Sequence, residues 1–244
     1  IAEPNFGLIT NVGRAHLEGF GSFEGVQRTK QELYNYLLKH YGTIFRNADN
    51  PYLLRMHQNA IDTHYRYKVK AEQLYKNFVY TTGTLPTGTH LVGEYNAENV
   101  SAAICVGACF DVSREEALEA IRQYVPTNNR SQAMETPNNH LIVDAYNANP
   151  TSMEAALRNF SKIEAASKAL ILGDMKELGE DSETEHQKVL ALIQSLGFTR
   201  TYFVGSEFAK VAGSEFSKCF ENVESLAEYF TQHPISDSTI LIKG

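Results

Sequence analysis

The second half of the chain alternates short β-branched runs with helical patterns, and this alternation restricts the possible folds more than any other feature. Strand-like runs stand at 140–144, 168–172, 201–204 and 239–243, with helical patterns at 152–162, 183–195 and 223–231. Strand then helix at this spacing implies a parallel sheet covered by helices. The first half is less regular. Leu8 to Asn11 reads as a buried strand, followed by a Gly-rich loop, a helix over 23–38 and a strand at Thr43–Asn47. Residues 59–95 carry strand-like pieces broken by Gly83, Pro86 and Gly88, and a helix is expected from Ala97 to Phe110. Ser113-Arg-Glu-Glu116 has the capping-box pattern, in which hydroxyl and carboxylate satisfy free N–H groups at a helix start; that helix runs to Tyr124. Ser182-Glu-Thr-Glu185 repeats the pattern. Residues 125–132 have no apolar period and read as a linker, which divides the chain into 1–132 and 133–244.

Composition narrows the classes of function. The 244 residues suit one large or two modest domains, and 43% hydrophobic residues supply a core. A formal charge of -7 without a Lys/Arg run argues against nucleic-acid binding. No apolar stretch reaches the length of a membrane span, so no membrane insertion is expected. Cys105, Cys109 and Cys219 form an odd, sparse set without metal-site spacing, and read as buried small side chains in a reducing, cytoplasmic setting. The chain opens without Met on one strand-like run and stops on another, the pattern of a segment of a longer polypeptide. It contains no Gly-x-x-x-x-Gly-Lys-Ser/Thr, which excludes a self-contained P-loop enzyme for this segment, and no Gly-x-Ser-x-Gly elbow either.

Four polar motifs stand where strands end, the place at which open α/β sheets collect ligands. The first, Thr10-Asn-Val-Gly-Arg-Ala-His-Leu-Glu-Gly-Phe-Gly-Ser22, holds His16, which suits either a metal ligand and acid/base group or a structural loop histidine. Lys30 follows fourteen residues later, on a helix where an exposed lysine is also ordinary. The second, Gly93-Glu-Tyr-Asn-Ala-Glu-Asn99, offers Asn96 and Asn99 either as helix caps or as partners for a base edge. The third, Asp144-Ala-Tyr-Asn-Ala-Asn-Pro-Thr-Ser152, places an Asp that can accept from ribose hydroxyls before a helix N-terminus that favours phosphate; a turn with Pro at the first helical position explains the same residues. The fourth, Leu172-Gly-Asp-Met-Lys-Glu-Leu-Gly-Glu-Asp-Ser182, gathers Asp174, Glu177, Glu180 and Asp181, as a substrate-facing loop or a solvated acidic one.

In this order and spacing the four motifs resemble the Mur ligase family over essentially the whole chain, and the third and fourth point to its MurF branch. The resemblance implies the back of a P-loop-type ATPase central domain, then a Rossmann-like parallel-sheet domain, both from a monomeric three-domain parent. It implies an ATP- and Mg²⁺-dependent ligase that joins D-alanyl-D-alanine to UDP-N-acetylmuramoyl-tripeptide through an acyl phosphate, with the segment inactive alone. A sister ligase adding another amino acid, or a non-catalytic nucleotide- or partner-binding fragment, are the alternatives. Carried over residue by residue, His16 matches a magnesium-ligand histidine and Lys30 a lysine that becomes carbamylated, so both count as catalytic and metal residues. Asn96 and Asn99 match the adenine side, where Tyr95 stands in place of the usual His. Arg130 matches the linker arginine that meets ATP, and Asp144 the ribose-binding aspartate. Tyr146 and Asn147 fall beside the phosphates or acyl group. Asn149, Asp174, Glu177 and His186 fall where the dipeptide is received.

Overall fold

The computed structural model describes residues 2–65, 76–93, 95–127, 129–213, 216 and 218–244. Glu94 of the second motif, Asn128 of the expected linker and residues 66–75 of the strand-like stretch lie outside the described residues. Contacts group the chain into two compact units: residues 1–13, 20–89 and 94–124, and residues 14–19, 90–93 and 125–244.

In the first unit, strands β1 (Phe6–Leu8), β2 (Thr43–Asn47) and β3 (Lys76–Tyr80) pair in parallel in the order β1-β2-β3. The strand expected at 8–11 lies earlier, because pairing with β2 fixes Phe6 opposite Thr43 and Leu8 opposite Phe45. Helix α2 (Phe23–Lys39) precedes β2 in the chain and follows α1 (Leu17–Phe20), whose residues 17–19 fall in the second unit. Ser22 caps α2 by accepting the Gly25 N–H, Glu24 and Lys39 complement its dipole, and Val26, Tyr34, Leu37 and Leu38 form its buried stripe. That stripe packs against α3 (Pro51–Tyr65) and β2. Helix α3 overturns the strand-like reading at 59–65: buried Leu53, Met56, His57 and Ala60 recur at helical spacing, with Pro51 at the first position. Helices α4 (Asn96–Cys109) and α5 (Arg114–Gln123) complete the unit, α5 opened by the expected Ser113/Glu116 capping box.

In the second unit, β4 (Gln132–Glu135), β5 (Asn139–Asp144), β6 (Lys168–Gly173), β7 (Thr201–Val204), β8 (Cys219–Phe220) and β9 (Ser238–Lys243) form one sheet in the order β4-β5-β9-β6-β7-β8. All pairs are parallel except β4 with β5. The expected linker therefore gives up its last residue, Gln132, to an antiparallel edge strand. Helices α6 (Pro150–Lys162), α7 (Ser182–Ser195), α8 (Ser206–Val211) and α9 (Val223–Gln232) connect the strands. Ala169, Tyr202, Leu226, Ile235 and Ile240 form one buried cluster, with Tyr229 and Phe230 of α9 packed on it.

The Ser182/Glu185 capping box does not form. Asp181 is the N-cap without a side-chain bond; the Ser182 hydroxyl donates to Glu207 at 2.7 Å, and the buried Glu185 accepts from Lys188 at 2.9 Å. No helix among the described residues is long and apolar enough to cross a membrane.

Candidate functional site

Because β5, β6, β7 and β9 run parallel, their carboxyl ends share one edge of the second sheet. Asp144, Gly173, Val204 and Lys243 end these strands. Asp144 and Lys243 are register partners. The Lys243 Nζ donates to Asp144 Oδ2 at 2.6 Å and to the Asn147 carbonyl at 3.2 Å, while the Ser131 N–H donates to Asp144 Oδ1 at 3.2 Å. The Lys243 side chain is 1% exposed and that of Asp144 15%. Beside this pair the Arg130 guanidinium lies 3.6 Å over the ring of Tyr146, which is otherwise exposed. The structure thus brings together four of the residues singled out in the sequence: Arg130, Asp144, Tyr146 and Asn147. Asn149 caps α6, its Oδ1 accepting the Ser152 N–H at 3.0 Å while the Ser152 hydroxyl accepts the Asn149 N–H.

The loop after β6 is organised from within. Asp174 Oδ2 and Oδ1 accept the N–H groups of Glu207 and Phe208 at 2.9 and 3.0 Å, which caps α8. Gly205, at φ 117°, makes room: a Cβ there would lie 2.1 Å from Asp174 Oδ2. His186 is fully buried. Its Nε2 accepts the Met175 N–H at 3.1 Å, so its Nδ1 carries the proton and donates to the Ser182 carbonyl at 2.7 Å. Lys210, with help from Ser182, holds the Glu207 carboxyl far below its usual range, at about 2. Asp174 and His186 therefore brace the loop that carries Glu177. Glu177 has a left-handed backbone (φ 59°) and pairs its carboxylate with His16 Nδ1. Arg14, unremarked in the sequence, fixes the His16 segment: its N–H donates to Thr151 at 3.0 Å and its guanidinium meets Glu185 at 3.0 Å.

In the first unit, the Lys30 Nζ donates to the Asn11 carbonyl at 3.0 Å, and burial pushes its pKa down. Asn99 Nδ2 donates to Asn96 Oδ1 at 3.4 Å, and α4 has Tyr95 as N-cap without a side-chain bond. Neither asparagine is the N-cap. Sequence reading missed Asn47, whose Nδ2 donates to Thr82 Oγ1 and Glu98 Oε1 at 3.0 and 2.9 Å and whose Oδ1 accepts the Asp49 N–H at 2.9 Å. The Asn-Ala-Asp-Asn run at the end of β2 was its only signal.

Among the described residues no group of three or more His, Cys, Asp or Glu side chains stands ready to hold a metal. Mg²⁺ commonly uses one or two protein groups, with water and phosphate oxygens completing its shell. A carbamylated Lys30 would suit that scheme. Carbamylation requires a neutral amine, and the burial of Lys30 favours that form.

Residues 1–107 match the family model of the Mur ligase middle domain, and residues 129–244 that of the Mur ligase, glutamate ligase domain. The chain belongs to the Mur ligase family. Curated relatives of this Mur ligase chain include the UDP-N-acetylmuramoyl-tripeptide--D-alanyl-D-alanine ligase of Bacillus subtilis, 32% identical over 226 residues, covering 87% of this chain and 48% of the relative. The enzyme of that name from Haemophilus influenzae is 30% identical over 261 residues, covering 100% and 56%. The chain spans about half the length of these relatives. Among solved structures, MurF from Acinetobacter baumannii superposes with a TM-score of 0.77 at 24% identity, over 99% of this chain and 57% of that one. MurF from Thermotoga maritima in complex with ADP gives 0.78 at 17% identity, over 100% and 59%. At these identities the likeness speaks for the fold: a partial ATPase-type domain followed by a Rossmann-like Mur ligase domain.

Proposed function

We propose that this Mur ligase chain supplies the middle and C-terminal parts, divided near residue 132, of an ATP-dependent ligase that joins D-alanyl-D-alanine to UDP-N-acetylmuramoyl-tripeptide. The observation that carries the reading is the Asp144 to Pro150 segment at the carboxyl end of β5. Its Asp is held but still open to a ligand, and its aromatic ring carries a stacked arginine. The curated relatives bearing that enzyme's name support the choice of substrates.

In this reading Asp144 accepts from the ribose hydroxyls of ATP, and Asn96 and Asn99 meet the adenine. The Arg130 guanidinium, preorganised on Tyr146, offers its fork of N–H donors to the phosphates. Lys30, as its carbamate, and His16 are the metal-side residues; Mg²⁺, when bound, neutralises charge developing on the transferred phosphoryl group. The tripeptide carboxylate is a poor electrophile, and phosphorylation gives it a leaving group before the dipeptide amine attacks. Asn147, Asn149, Glu177 and the loop braced by Asp174 and His186 face the acyl group and the amine.

The test is phosphate release by the complete ligase with ATP, Mg²⁺ and UDP-N-acetylmuramoyl-tripeptide, candidate amines being added singly. Release that depends on D-alanyl-D-alanine, with the pentapeptide mass, is expected. Release that depends on a single amino acid would move the chain to a sister ligase, and no release with any amine would leave only a binding fragment.

A further inference from the structure

Lys243 is a buried ammonium that the proposed reaction does not use. A buried ion pair is weak evidence of stabilisation, since desolvating two charges offsets most of their attraction. Its geometry points to another role. Lys243 sits on β9, between β5 and β6, with Leu172 and Asp144 as register partners on its two sides. One donor goes to the Asp144 carboxylate at 2.6 Å and another to the Asn147 carbonyl at 3.2 Å. The ammonium therefore ties the last residue of β5 to the third residue of the loop that follows. The Ser131 N–H takes one lone pair of Oδ1 and Lys243 one of Oδ2. A carboxylate offers about four acceptor positions, so each oxygen keeps one for a further donor. A carboxylate fixed at both oxygens, with one free lone pair on each, matches two adjacent hydroxyls.

We propose that Lys243 is a positioning residue: it orients Asp144 and the 144–147 turn so that both carboxylate oxygens face a ribose diol. The proposal rests on the reading of Asp144 as the ribose-binding group. Lys243 itself does not touch the nucleotide.

The test compares ATP with 2′,3′-dideoxy-ATP in the complete ligase, for Lys243→Met, Asp144→Ala and the double variant. Lys243→Met is expected to lower kcat/KM for ATP by roughly 10- to 100-fold, the range of a lost charge-assisted hydrogen bond. The loss should lie mainly in KM, and the preference for ATP over the dideoxy nucleotide should fall toward one. The double variant should be no worse than Asp144→Ala alone. Should Lys243→Met fail to fold, Lys243→Gln, whose shorter and neutral amide keeps a donor, should show a smaller fall in the same preference, and the double variant, which leaves no unpaired charge, should match Asp144→Ala. Equal losses with both nucleotides would mark a packing effect and overturn the proposal. So would an unchanged preference in Lys243→Met beside a collapsed one in Asp144→Ala. An unchanged preference in Asp144→Ala would overturn the ribose reading itself, and the proposal with it.

Discussion

At the scale of single residues, several polar side chains at the strand ends build the loops that would carry any chemistry. Asp174 caps α8, and the space it occupies exists because residue 205 has no side chain. Gly205→Ala would force a Cβ into the carboxylate and strain a left-handed backbone. It is expected to destabilise the second unit by about 2–4 kcal/mol, read from urea unfolding; a loss below about 0.5 kcal/mol would contradict the packing described. The polar loop after β6 marked Asp174 in the sequence, whereas His186, on the helix beyond it, was named only through the family resemblance. Sequence reading could not assign their bracing work, because the partners, Glu207, Phe208 and Met175, interact through backbone N–H groups that carry no residue-type signal. Lys243 escaped notice for a different reason: its partner lies ninety-nine positions away, and a lysine ending a strand run gives no hint of burial.

At the scale of elements, legibility follows length and burial. Strands β5, β6, β7 and β9 were readable as apolar runs, and α6, α7 and α9 as periodic patterns. Strand β8 has two residues and α8 six, too few to show a period. Strand β4 is largely exposed, and its Gln-Ala-Met-Glu sequence becomes a strand through pairing with β5 alone. The helical pattern in the sequence begins two residues inside α6, whose cap is strong and reciprocal. Asn149→Ala should lower stability by about 1 kcal/mol in thermal unfolding, and Asn149→Asp, an equally good N-cap, should restore most of it. If the aspartate variant stays as unstable as the alanine one, the cap is not what Asn149 contributes. The KM for the amine in the aspartate variant reports separately on any substrate role.

At the scale of the whole molecule, acid sensitivity follows from His57. Burial, with Arg46 nearby, pushes its pKa down to about 4, whereas in the unfolded chain it takes up a proton near pH 6.5. Between these values the unfolded state binds more protons, so stability falls as the pH drops through that window, by up to about 3 kcal/mol at its lower end. His57→Gln should flatten that part of the thermal-stability profile; an unchanged slope would place the acid sensitivity elsewhere. The order of the second sheet has a consequence for synthesis. Strand β9, the last of the described strands in sequence, lies in the interior of the sheet between β5 and β6. On the ribosome, therefore, β5 and β6 each emerge with an unpaired edge, and nothing made earlier fills the gap between them. This unit must wait for residues 238–243 before its sheet closes. A nascent chain stalled or cut before them presents two open, apolar strand edges, the form most prone to pair with another copy.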